Sequence, residues 1–149
     1  MSESCWSCAV SYRADLGDIV TMQEVLLIAL GGTAGAVSRH LISTHHAATH
    51  PLPFSLGTLV VNIVGCFLAG CILGWFNGQA EAIPSNIRHL LVVGFLGGLT
   101  TFSAFSLDVV LQATNGAVLR AAVVAGANVI GSLVAVVFGL QLMVKLRGN

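Results

Sequence analysis

The sequence predicts an all-α integral membrane protein with four transmembrane helices per subunit, the third of them broken. Three observations predict it. Hydrophobic residues make up 56% of the 149 and charged residues only 8%, far below the roughly one-quarter charged content of a soluble domain. The apolar residues fall into four runs, each extendable to the ~20 residues that cross a hydrocarbon layer. The third run contains Gly97-Gly98-Leu99-Thr100-Thr101, glycines and paired threonines inside a segment long enough to lie in lipid. Irregular backbone at that depth survives only when it is buried in protein, lines a wet cavity or binds an ion.

Residues 1–21 mix Ser, Cys, Tyr, Arg and acidic residues without a long apolar core, so they read as a tail and not as a signal peptide or a span. Met22 is a second candidate translation start, and residues 22–149 form one transmembrane domain. The first apolar run, 25–38, is too short alone, so its helix takes in Arg39 and continues towards Ser43. Arg39 at its end either snorkels to the headgroups or draws anions to a pore mouth. Gly31 and Gly35 let a second helix approach closely. His45, His46, His50, Pro51 and Pro53 form a loop, read as solvated because no acidic or cysteine partner stands at a metal-binding spacing.

Residues 56–76 are charge-free, follow Pro53 and carry Trp75 as an interfacial anchor. Asn62 within them is either helix-to-helix glue or part of a polar site, since a lone amide in hydrocarbon is costly. Gly70 and Gly74 repeat the small-residue spacing. A polar connection over 77–89, with a helix start at Pro84-Ser85 and Arg88 at the interface, leads to the charge-free run 90–107, which ends at Asp108. After a second connection over 114–120, the last span covers 121–144 and is closed by Lys145 and Arg147. Asn128 and Ser132, four residues apart, share one face of it. Four spans put both ends of the domain on one side, with Arg13, Arg88, Lys145 and Arg147 against Arg39 and Arg120. So weak a bias permits insertion both ways round, hence an antiparallel, dual-topology homodimer. Four helices also enclose little volume, so a transport path calls for a second subunit.

Several function classes are disfavoured. The formal net charge is zero and no basic face is present to bind nucleic acid. Cys5 and Cys8 make a lone C-x-x-C without a second ligand pair, while Cys66 and Cys71 read as small packing residues. No nucleophile and base can be placed on facing spans, so the protein is not expected to be an enzyme. No carboxylate, lysine or histidine is expected at mid-depth, which argues against a proton-coupled antiporter or a cation channel. The buried polar groups are instead Asn62, Thr100, Thr101, Ser103, Ser106, Asn128 and Ser132, which can donate to an anion without fixing it by a full charge. Phe102 and Phe105 lie three apart, so they either pack the core or turn positive ring edges towards such an anion. Carbonyls freed at the break, Gly97 and Thr100 foremost, either coordinate a hard cation or are satisfied locally at a simple kink.

Three stretches, G-G-T-A-G-A-V-S-R at 31–39, G-T-L-V-V-N-I-V-G at 57–65 and G-F-L-G-G-L-T-T-F-S-A-F-S at 94–106, resemble the Fluc (CrcB) fluoride channel family over nearly all of the chain except the tail. The resemblance implies a fluoride-selective channel in the cell membrane that exports the ion passively and relieves its toxicity. It further implies an antiparallel homodimer with two pores and a structural Na+ at the two-fold axis. By the same resemblance the Gly97 and Thr100 carbonyls would hold the sodium, and Asn62, Phe102, Phe105 and Ser103 would line the anion path. Asn128 and Ser132 would continue it as a polar track, and Arg39 would sit in the vestibule. Val124 stands where the family often has a tyrosine. The alternatives are a coupled fluoride transporter and a small dual-topology drug or guanidinium transporter. The latter depends on a carboxylate within the first span, where this chain has only Glu24 at its very start.

Overall fold

The computed structural model describes residues 20–49 and 56–148. Cys5, Cys8, His50, Pro51, Pro53 and most of the tail lie outside the described residues. Four helical segments, Met22–His46, Leu56–Trp75, Ser85–Thr114 and Val118–Arg147, are long and apolar enough to cross a membrane. The elements are α1 (Met22–Thr49) and α2 (Leu56–Trp75), a single 3-10 turn at Ala80–Ala82, α3 (85–99), α4 (Phe102–Thr114) and α5 (Val118–Arg147).

The helices run further into their polar flanks than hydropathy alone places them. α1 starts at Met22 because Thr21 and Glu24 form a reciprocal cap. The Thr21 hydroxyl accepts the Glu24 N–H at 3.2 Å and the Glu24 carboxylate accepts the Thr21 N–H at 3.0 Å. At the other end it passes Ser43 and reaches Thr49. α5 has 30 residues, about 45 Å of helix against a hydrocarbon core of about 30 Å, so its ends project beyond the apolar layer. There Arg147 donates to the Trp75 carbonyl and lies 5.3 Å from the Trp75 ring centroid, tying the ends of α2 and α5 together.

Lipid supplies little hydrophobic drive for helix association, so close backbone approach takes its place. α1 and α3 pack in parallel through Gly31 and Gly35, and α2 packs in parallel on α5 through Gly70 and Gly139. A Cβ on Gly35 would run into the Phe95 carbonyl and stand 2.8 Å from the Leu99 nitrogen. Gly35→Val is therefore expected to overpack the α1–α3 seam by at least the usual 1–3 kcal/mol or so and to lower the unfolding midpoint in detergent. The same change at Gly126, where nothing lies within 4 Å of an added Cβ, should leave that midpoint unchanged, and a thermal scan of both variants checks it. Between the two pairs sits a small core of Val61, Leu96 and Leu99.

Along the third span, Ser85–Ile87 is α-helical, Arg88–Leu96 is π-helical and Gly97–Leu99 is α-helical again. Thr100 (φ −81°, ψ 156°) and Thr101 (φ −153°, ψ 122°) are extended, and α4 begins at Phe102. The sequence reading placed the break within Gly97-Gly98-Leu99-Thr100-Thr101, with Gly97 foremost among the freed carbonyls. Within it Gly97 keeps helical angles (φ −62°, ψ −36°) and the extended pair is the two threonines. Threonine is β-branched and suited to extended backbone, and the partner that holds Thr101 there lies on another helix. The wide π turns have no single-residue signature and were not anticipated.

Candidate functional site

In a continuous helix the Thr101 N–H would close on the Gly97 carbonyl four residues back. Here it donates to Asn62 Oδ1 at 2.8 Å, and Asn62 Nδ2 donates back to the Thr101 carbonyl at 3.1 Å. The second Asn62 N–H goes to Asn128 Oδ1 at 3.0 Å, and Asn128 Nδ2 donates to the Val124 carbonyl at 3.2 Å. Both amides are buried, Asn62 at 9% and Asn128 at 5% exposure. These bonds use both N–H groups of Asn62 and engage its oxygen. The opposite amide flip would set its oxygen against two acceptor oxygens and its NH2 against the Thr101 N–H, so the network admits one orientation.

Threonine side chains complete the junction. The Thr101 hydroxyl accepts the Ala104 N–H at 3.4 Å, capping α4, and lies 3.1 Å from the Ser103 hydroxyl. The Thr100 hydroxyl donates to the Leu96 carbonyl at 2.9 Å. The carbonyls of Gly97 and Thr100 thus lie at a point where the regular helical ladder stops.

Against this junction lies a cavity of about 340 Å³ whose walls include Asn62, Cys66, Thr101, Phe102, Phe105, Asn128 and Ser132. No carboxylate, amine or imidazole stands in that wall. Phe105 is buried at 8% exposure while Phe102 is 76% exposed, and their rings meet edge to face with centroids 5.2 Å apart. A second cavity of about 400 Å³ is lined by Arg39, His40, Ser43, Thr58, Ala104 and Asp108, and Thr101 is in its wall as well. The two cavities therefore share Thr101 as a wall residue.

The structure brings Asn62, Phe102, Phe105, Asn128 and Ser132 to one cavity and puts Arg39 on the other. Ser103 lies outside both walls and joins the site through Thr101. Ser106 is half-buried and lines neither. Thr100 lines the first cavity, whereas Gly97 is exposed and lines neither. Val124 is buried at 7% exposure and serves the site through its carbonyl. Asp108 was expected beyond the third apolar run. It lies within the span Ser85–Thr114 and lines the second cavity, because α4 continues helically past it. Cys66, read as packing, is also a wall residue. Its spacing of four from Asn62, on the same face of α2, was the available signal. Thr101, named among the polar groups but not as a site residue, is the hub of the network.

Comparison with known proteins gives the chain's family. The family profile described as CrcB-like protein, Camphor Resistance (CrcB), matches residues 26–140. A protein of Pseudomonas syringae pv. tomato named fluoride-specific ion channel FluC is 43% identical over 121 residues, 81% of this chain and 97% of its own length. The FluC proteins of Pseudomonas fluorescens and Hyphomonas neptunium are 44% and 41% identical, over 79% and 80% of this chain and 94% of their own lengths. With four apolar spans, a polar junction in the third, and matches extending over most of its length, the chain belongs to the CrcB-like family.

Proposed function

We propose that this chain is a multi-pass fluoride channel of the cell membrane that passes the ion down its gradient and so relieves fluoride toxicity. The observation that carries this reading is the first cavity, which offers neutral hydrogen-bond donors and aromatic edges and no ionised group. Stripping a small, strongly hydrated anion of water costs tens of kcal/mol on a Born estimate, so a path must replace water with donors that also release the ion. The Ser132 hydroxyl, the remaining Asn128 N–H and the rims of Phe102 and Phe105 are such groups. Arg39 on the second cavity would attract anions, with its field partly offset by the Asp108 carboxylate in the same wall, and Thr101, shared by both walls, links vestibule and path. The fluoride channel names of the relatives support this reading over a drug or guanidinium transporter.

The working form in this reading is an antiparallel, dual-topology homodimer in which the third span is a broken helix. The exposed Phe102 ring and a cavity open at the flank of one subunit support a second copy closing over it. A structural Na+ fits the backbone at the junction. The Thr101 N–H has left the Gly97 carbonyl for Asn62, and carbonyl oxygens are the ligands a hard cation takes. Gly97 and Thr100 of each subunit would hold it, and when bound it supplies positive potential without a mobile side chain.

Fluoride release from proteoliposomes holding the purified protein, with no proton gradient imposed, tests the function. Electrogenic release at channel speed is expected. Release that requires a proton gradient would point to a coupled transporter instead.

A further inference from the structure

Asn128 stands in the cavity wall, where an anion-binding role was expected of it. Its bonds point to a further task. Its Oδ1 accepts one N–H of Asn62 at 3.0 Å, and its own N–H is anchored to the Val124 carbonyl at 3.2 Å. Asn62 in turn holds both the N–H and the carbonyl of Thr101, at 2.8 and 3.1 Å. Thr101 already selects the flip of this amide, because the opposite one sets like atoms against each other at both contacts. The acceptor oxygen of Asn128 holds the second N–H of Asn62 and so anchors the amide in that flip from a third direction. With both its N–H groups committed to protein, Asn62 has none left for an ion.

We infer that Asn128 is a positioning residue: it anchors the Asn62 amide, and through it the extended backbone of Thr101, a residue that lines both cavities. The ion-facing donors are then the hydroxyls of Thr101 and Ser132 and the second N–H of Asn128, with Asn62 serving as a strut. An amide suits this task because it accepts and donates at opposite ends of a planar group. It spans from Asn62 to the preceding turn of α5, and the same bonds hold at 5% exposure, where unpaired polar groups are costly.

This inference rests on the channel reading, and the test separates the two. Full-length wild type, Asn128→Leu, Asn128→Ala and Asn128→Ser are compared in proteoliposomes for fluoride efflux, and in the same bilayers for deuterium uptake at backbone amides. Leucine matches asparagine in size without its hydrogen bonds, alanine removes the bonds without any clash, and serine restores an acceptor. The expected result is efflux at least tenfold slower in the leucine and alanine variants. Faster deuterium uptake should accompany it, confined to residues 100–104, with serine recovering part of both. Efflux that falls while uptake over 100–104 stays at the wild-type level would mean that Asn128 acts only by meeting the ion and not by positioning Asn62, overturning the inference. Uptake raised evenly over all spans would make it a general packing residue, and wild-type efflux in the leucine and alanine variants would likewise overturn it. Failure of the wild type itself to release fluoride would instead overturn the channel reading, while the uptake pattern still reports on the strut.

Discussion

Asn62→Asp is expected to abolish fluoride conduction, reducing efflux from proteoliposomes by at least a hundredfold. Two effects act in the same direction. A carboxylate in the first cavity wall opposes an anion. At an effective dielectric constant of about 20 and a separation of about 5 Å the repulsion is about 3 kcal/mol, or roughly two orders of magnitude in rate. The carboxylate also cannot donate, so the Thr101 carbonyl and Asn128 Oδ1 would each face an oxygen where they now face an N–H at 3.1 and 3.0 Å. Asn62→Ala separates these contributions, because it removes the strut without adding charge. Efflux from the aspartate variant within tenfold of wild type would show that this cavity is not on the anion path.

Gly97→Val is expected to spare the fold of the subunit and weaken the assembly. A Cβ added at Gly97 meets only the Val92 carbonyl, at 3.9 Å, which is ordinary van der Waals contact. Gly97 also has helical angles that valine can adopt, so nothing within one chain resists the substitution. In the proposed dimer the same position lies beside the carbonyls that face the second copy. Overpacking there by about 1–3 kcal/mol would weaken subunit association at least fivefold and reduce the stabilisation given by sodium. Helical content by circular dichroism should remain at the wild-type level, while dimer mass in detergent and fluoride efflux fall together. A valine variant with wild-type dimer stability and sodium response would place the subunit contact elsewhere.

Hydropathy was enough to locate the four spans, because runs as long and charge-free as 56–76 have few other uses. Their ends were less legible. α1 begins with a cap formed by Thr21 and Glu24 and α5 ends on a cation stacked over Trp75, contacts that depend on polar chemistry at the membrane surface. The junction was visible as Gly-Gly-Leu-Thr-Thr, though not that its extended residues are the two threonines while Gly97 stays helical. The residue that decides the geometry, Asn62, lies 39 positions away in sequence from Thr101, and its second partner, Asn128, lies 66 away. Such pairings leave no periodic trace in a single chain. For Asn62 the choice between helix glue and site residue resolves into both, since its hydrogen bonds join three helical segments at the cavity wall. A second subunit was suggested by the weak Lys and Arg bias and by how little volume four helices enclose, and a cation site by carbonyls freed at the break, while the two-fold sodium site itself came from family resemblance.

A final consequence concerns Thr101, the residue that lines both cavities, the Arg39 chamber and the Asn62 chamber. A substitution that tilts this residue to widen one compartment narrows the other, so capture of the ion and its discrimination are not independently adjustable in this architecture. Attempts to engineer altered halide preference should therefore meet compensating losses at the entrance. Variants that escape the trade-off are to be sought at Ser132 or Phe105, which border one compartment only.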